Sequence, residues 1–342
     1  MAKRLRAGGW TRLFARGLRS ITRSAARSGA RALVQAAKAN RAPRTEQAGR
    51  SASTWLTGTA VGSGGARRFL LYRPPGVSLG ERLPLLVMLH GCGQTAKEFA
   101  LATRMNSVAA RERFWVLYPE QDRLANPQGC WNWFDTRSGR AQAEVALIVN
   151  AIDQVCLLHP VDRARVAVAG LSAGASMAAL LATRHPDRFK AVVMHSGVPP
   201  GEADSALSAL GAMRGRRSKS ALAEPLKQGA AAWPPLMVIH GSADTVVSDR
   251  NARAAAESWA AAAGALAGAT RSVQRGKRHP MQVTDFKRSA HHAATLVEVA
   301  GLGHAWSGGA AKRPFSDPQG PDASRMAWAF IARQFARNDL PP

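Results

Sequence analysis

The chain has 342 residues, three cysteines and a formal net charge of +25. A chain this long buries enough surface to need no covalent staples, and no apolar run approaches the ~20 residues of a membrane span. The small, odd cysteine count (Cys92, Cys130, Cys156) argues against a disulfide framework and favours a reducing compartment, with a single Cys92–Cys130 bridge left open.

In chain order, residues 1–45 read as a basic arm. Residues 1–50 hold thirteen Lys and Arg against the single acid Glu46. Arg12, Arg16, Arg19, Arg23, Arg27 and Arg31 recur at helical spacing, and Trp10, Phe14, Leu18 and Ile21 recur on another face. An interfacial amphipathic helix, an organelle transit peptide and a solvated tail all fit this pattern. Residues 46–66, rich in Gly, Ser and Thr, read as a linker that enters an edge strand. From 67 to 338 strands and helices alternate. Strands are predicted at 68–73, 84–90, 114–118, 165–170, 190–195, 235–240 and 294–299, and helices at 98–111, 140–157, 173–185, 249–264 and 321–336. Such alternation implies an α/β fold, a mostly parallel sheet with helices on both faces. Residues 201–232 break the rhythm and are predicted to be an inserted loop or small lid. Residues 268–293 are basic and polar and are predicted to be irregular.

Sites in such sheets lie outside the carboxyl ends of the strands, and chemistry-bearing residues collect there. The run "VAVAGLSAGASMAALLA" places Ser172 between Gly170 and Gly174, where an apolar strand gives way to an alanine-rich helix. That is the setting of a nucleophile on a sharp turn. "LMVIHGSADTVV" ends a strand near Asp244, and "LVEVAGLGHAW" carries His304 past a glycine-rich turn. The order Ser172, Asp244, His304 is that of α/β-hydrolase triads. A serine hydroxyl needs a base to take its proton, and the base needs an acid to fix its tautomer. Asp249 is an alternative acid. The backbone N–H groups of Cys92, after the His90-Gly91 turn, and of Ala173, after the nucleophile, are expected to form the oxyanion hole. Trp131, Trp133 and Trp306 are candidate walls for an apolar or aromatic acyl group, with ordinary core packing as the alternative for Trp131 and Trp133. His90 and His240 read as structural turn histidines, and His279, His291 and His292 as surface residues. No spacing fits a metal site, so no metal is expected.

The segments "HGCGQTAKEFA", "MNSVAARERFWVLYPEQ", "GCWNWFD", "VDRARVAVAGLSAGASMAALLATRHPDRFKAVVMHSGVP" and "VIHGSADTVV" together resemble the polyhydroxybutyrate depolymerase family of esterases, which also holds feruloyl and acetylxylan esterases. The resemblance runs from about residue 55 to 335. It implies an α/β-hydrolase fold and cofactor-free ester hydrolysis through an acyl-enzyme. It places nucleophile, acid and base on Ser172, Asp244 and His304, and the oxyanion turn on Gly91-Cys92.

The expectation is therefore a serine esterase acting on short-chain polyhydroxyalkanoate or its oligomers, with feruloyl or acetylxylan esters as the alternative. A reading of another class, a granule-, membrane- or nucleic-acid-binding protein with an idle pocket, is opposed by the complete triad. Residues 1–45 are expected to hold an anionic granule or membrane surface. No nucleic-acid fold accompanies them, so nucleic acid is not an expected partner. The expected location is cytoplasmic and granule-associated, with an extracellular one, as for many members of the resembled family, as the alternative.

Overall fold

The computed structural model describes residues 54–78, 80–216 and 233–338. The basic arm, and residues 217–232 of the predicted insertion 201–232, lie outside the described residues. Among those described, eleven strands join in one sheet. Its centre is parallel, in the order β4 (Trp115–Pro119), β3 (Leu83–Leu89), β5 (Val161–Leu171), β6 (Val192–His195), β7 (Leu236–Gly241) and β11 (His291–Val299). At one edge, β2 (Gly65–Arg73) pairs antiparallel with β4 and with β1 (Thr54–Gly62). At the other, β10 (Met281–Arg288) pairs antiparallel with β11, and the short strands β8 (Leu266–Ala267) and β9 (Arg271–Val273) pair with β10.

The central strands are buried on both faces, and their side chains divide between two cores by strict alternation. Leu85, Val87 and Leu89 of β3 enter one core, and Leu86 and Met88 enter the other. Val166 and Val168 of β5 point one way, Ala167, Ala169 and Leu171 the other. The first core is covered by α3 (Arg140–Leu158), α4 (Ala173–Arg184) and α6 (Arg250–Ala263). The second is covered by α1 (Ala96–Thr103), α2 (Met105–Glu112) and α7 (Ala323–Asn338). The remaining helix, α5 (Ala206–Met213), lies over the carboxyl ends of the strands. The helix α3 has the length and hydropathy of a membrane span, but it packs along the sheet through Val145, Ile148, Ile152 and Val155.

The predicted helix 98–111 is two helices. Arg104 adopts a left-handed conformation between α1 and α2 (φ 55°), and its guanidinium donates to the carbonyl of Gly308 at 2.6 Å. The supposedly irregular stretch 268–293 contains β10. Its partner explains what the residue types obscure: Met281 and Val283 are buried in one core and Phe286 in the other, Thr284 is buried between them, and Gln282, Lys287 and Arg288 are exposed. The strand β1 occupies much of the segment 46–66 read as a linker, because a tight turn at Ser63-Gly64 lets Thr54–Gly62 fold back along β2. The single bridge left open in the sequence is present: Cys92 and Cys130 form a disulfide across 38 residues, leaving Cys156 free and buried.

Candidate active site

Ser172 lies between the last residue of β5 and the first of α4, with φ +56° and ψ −120°, a conformation that costs a non-glycine residue free energy. Its N–H donates to the carbonyl of His195 at 2.8 Å, and its own carbonyl accepts the first helical bond, from Ser176 N–H at 3.1 Å. The flanking glycines are required by contact. A Cβ on Gly174 would lie 2.1 Å from the Leu89 carbonyl oxygen, and one on Gly170 would lie 2.3 Å from the Gly174 carbonyl. The helix therefore starts directly against the end of β3, and the turn lifts Ser172 toward the cleft.

Across that turn, Ser172 Oγ is 2.9 Å from His304 Nε2, and His304 Nδ1 is 2.7 Å from Asp244 Oδ2. The Asp244 side chain is fully buried and that of His304 is 10% exposed. The other oxygen of Asp244 accepts the N–H groups of Val246 and Val247, each at 2.9 Å. Burial opposes ionisation of Asp244. Hydrogen bonds from His240 and His304 outweigh it and hold the carboxyl well below the usual carboxylate range. With an ionised acceptor at Nδ1, the imidazole of His304 carries its proton there and leaves Nε2 to accept from the serine hydroxyl. Asp249 takes no part: it is exposed at the start of α6 and accepts only a 3.5 Å contact from Ser248.

The turn after β3 faces the same point. Gly91 N–H donates to Gln94 Oε1 at 2.9 Å, and Gly93 N–H to the Gln128 carbonyl at 3.0 Å. Between them, the N–H of Cys92 has no acceptor among the described residues, and neither has that of Ala173. Both residues line a small apolar pocket beside Ser172, walled by Trp133, Val198, Met213 and Val247.

Trp133 is the one of the three candidate wall tryptophans found there. Trp131 is fully buried against His90 and donates to its carbonyl at 3.1 Å. Trp306 is fully buried too, packed on His195 and Phe99 and bonded to Ser324. Both lie under the site and support it, because an indole with its N–H satisfied inside the protein fills a core better than a rim. Sequence reasoning missed Met213 and Val247 in the pocket wall. It also missed His195, whose Nε2 accepts the N–H of Ser307 at 3.1 Å and so anchors the segment just after His304. The sole trace of His195 in the sequence is a histidine at a strand end, shared with His90 and His240. His90 is a turn residue as read: Nδ1 donates to Gly91 and Nε2 accepts from Gln121 N–H. His240 sits at such a turn too, and also reaches Asp244 Oδ2 at 3.4 Å. His279 pairs with Asp317, and His292 with Thr295 and Asp285, away from the relay.

Residues 67–279 match the family model described as Esterase PHB depolymerase, a stretch that includes Ser172 and Asp244 and ends before His304. Poly(3-hydroxyalkanoate) depolymerase C of Paucimonas lemoignei is 34% identical over 175 residues, covering 49% of this chain and 42% of that protein. Feruloyl esterase B of Thermothelomyces thermophilus is 28% identical over 193 residues, covering 52% of this chain and 64% of that protein. The chain thus spans less than two thirds of either relative. Among solved structures, an acetyl xylan esterase from Aspergillus awamori superposes with a TM-score of 0.60 at 18% identity, over 73% of this chain and 94% of that one. A ferulic acid esterase superposes at 0.53 and 19% identity, over 83% and 98%. At these identities the superpositions establish the α/β-hydrolase fold.

Two predictions follow from this geometry. Gly174→Ala forces a Cβ into the Leu89 carbonyl and is expected to cost about 3 kcal/mol, seen as a melting temperature lower by roughly 5–10 °C; an unchanged melt would contradict the contact. Burial first, and then the neighbouring imidazoles of His240 and His304, lower the pKa of His195 from 6.5 to about 3. The unfolded chain therefore takes up this proton first. Stability is full above about pH 6.5 and falls as the pH drops from there toward 3, by up to ~1.4 kcal/mol per pH unit from this group. Urea midpoints between pH 7 and 4.5 should show a shallower decline in His195→Gln, and an equal decline would refute the assignment.

Proposed function

This chain belongs to the PHB depolymerase family of esterases, and from that premise we propose that it hydrolyses carboxylic esters by acyl transfer through Ser172. The observation that carries the reading is the continuous relay from Ser172 Oγ to His304 to buried Asp244. Ser172 Oγ attacks the ester carbonyl while His304 Nε2 takes its proton. The charge that develops on the carbonyl oxygen is met by the N–H groups of Cys92 and Ala173. Asp244 stabilises the imidazolium and does not itself take the proton. Collapse of the intermediate breaks the ester C–O bond, and His304 protonates the departing alcohol. A water then repeats the sequence on the acyl-enzyme, releasing the acid and restoring Ser172.

The preferred substrate is an ester of a short hydroxyalkanoic acid. Support comes from the pocket at Ser172, which is small and apolar and closed by Trp133, Val198, Met213 and Val247. It offers room for a compact acyl group ahead of a long planar one. The depolymerase relative points the same way. The Cys92–Cys130 disulfide supports work in an oxidising compartment, the extracellular alternative, over the cytoplasmic one. The excess of Lys and Arg in residues 1–50 supports docking on an anionic granule or membrane surface.

Release of 3-hydroxybutyrate from amorphous polyhydroxybutyrate granules, alongside a panel of p-nitrophenyl esters, tests the reading. Wild type should release it and favour acetyl and butyryl over longer and aryl acyl groups. Ser172→Ala should abolish turnover, and Asp244→Asn should lower kcat by about 10⁴ with the fold intact. Full activity in Ser172→Ala would defeat the mechanism, and preference for feruloyl esters would defeat the substrate class. Granule binding should weaken when residues 1–45 are removed and fall with salt; unchanged binding would remove the arm from the account.

A further inference from the structure

Glu144 lies on α3, beneath the loop 126–133 and away from the reacting atoms, and is 2% exposed. Every group around its carboxylate is a donor. Oε1 accepts from Gln121 Nε2 and from Asn132 Nδ2, both at 2.6 Å, and Oε2 accepts the backbone N–H of Asn132 at 2.8 Å. The buried guanidinium of Arg67 stands 3.9 Å away. A buried ion pair adds little stability over well-packed apolar residues of the same volume, so stability is a weak reason for this arrangement. Its connections supply a better one.

Asn132, held twice by Glu144, immediately precedes Trp133, a wall of the acyl pocket. Gln121 donates from the same Nε2 to the carbonyl of Cys130 at 2.9 Å. Cys130 is in turn bonded through sulfur to Cys92, whose backbone N–H the acyl-transfer reading assigns to the oxyanion. One carboxylate thus ties together the pocket wall and, through the disulfide, one oxyanion donor.

We propose that Glu144 is a positioning residue for ester hydrolysis, holding loop 126–133 so that the Cys130–Cys92 bridge keeps the Cys92 N–H aimed at the oxyanion. The proposal rests on the Ser172 acyl-transfer reading. Removing an oxyanion donor costs about 10²–10³ in kcat; displacing one should cost about 10- to 100-fold.

The test measures p-nitrophenyl butyrate hydrolysis by wild type, Glu144→Gln, the Cys92→Ser/Cys130→Ser pair, their combination, and Ser172→Ala, with a thermal melt for each. Glu144→Gln keeps the volume but opposes an NH₂ group to the surrounding donors. It should fold, lose about 10- to 100-fold in kcat, and keep KM within about twofold. Because Glu144 acts through the bridge, its substitution should cost much less, under about threefold, once the bridge is gone. A folded Glu144→Gln with wild-type kcat, or a loss that is fully additive with loss of the bridge, overturns the proposal. If Glu144→Gln does not fold, Gln121→Met, which removes the amide linking Glu144 to Cys130, replaces it with the same expectations. Activity in Ser172→Ala would overturn the acyl-transfer reading itself; an inactive Ser172→Ala beside a normal Glu144→Gln would overturn the positioning role alone.

Discussion

The approach of α4 to the end of β3 is the contact on which the site depends. With no side chain at Gly174, the helix backbone comes against the Leu89 and His90 carbonyls, closer than any Cβ would allow. That contact forces the turn at Ser172 into its positive φ. Paying this strain is tolerable because β5 and α4 are both packed in the interior, so the surrounding structure over-determines the turn. The Ser172 side chain then points toward His304, with Oγ 2.9 Å from Nε2.

A second constraint is the burial of polar groups under the cleft. Strand-end histidines His90, His195 and His240 are fully buried, and each bonds to backbone of a neighbouring segment. His90 ties the end of β3 to the segment after β4, His195 ties the end of β6 to the segment after β11, and His240 braces the loop that follows its own strand, β7. Asp244 gains four donors in this environment and stays ionised where an isolated carboxylate would not. The result is a site made from loops with little freedom, which is what transition-state stabilisation by fixed dipoles requires.

The pocket wall has mixed origins. Trp133 comes from the loop after β4, Val198 from the loop after β6, Met213 from the end of α5 and Val247 from the loop after β7. Val247 also donates to Asp244 and accepts from His240. Asp244 and this part of the pocket wall are therefore joined in one hydrogen-bonded turn.

Sequence alone determined the parallel core and the chain order of Ser172, Asp244 and His304, because short apolar runs alternating with helical patterns and a strand–turn–helix junction leave local signatures in residue type and spacing. The same local character explains what it misjudged. The strand β10 mixes apolar and polar residues on both faces and reads as irregular until β11 is beside it. Trp131 and Trp306 carry the same aromatic signal as Trp133, and only packing separates core from cleft. Cys92 and Cys130 are 38 residues apart, and their pairing needs β3 and the loop after β4 to be neighbours. Asp249 and Asp244 are equivalent by composition, and the tertiary structure chose between them by burying Asp244 against two histidines. Contacts between residues distant in the chain leave no trace in either one's neighbours, so the donor-lined carboxylate of Glu144 and the anchoring of the His304 segment by His195 were decided by the fold.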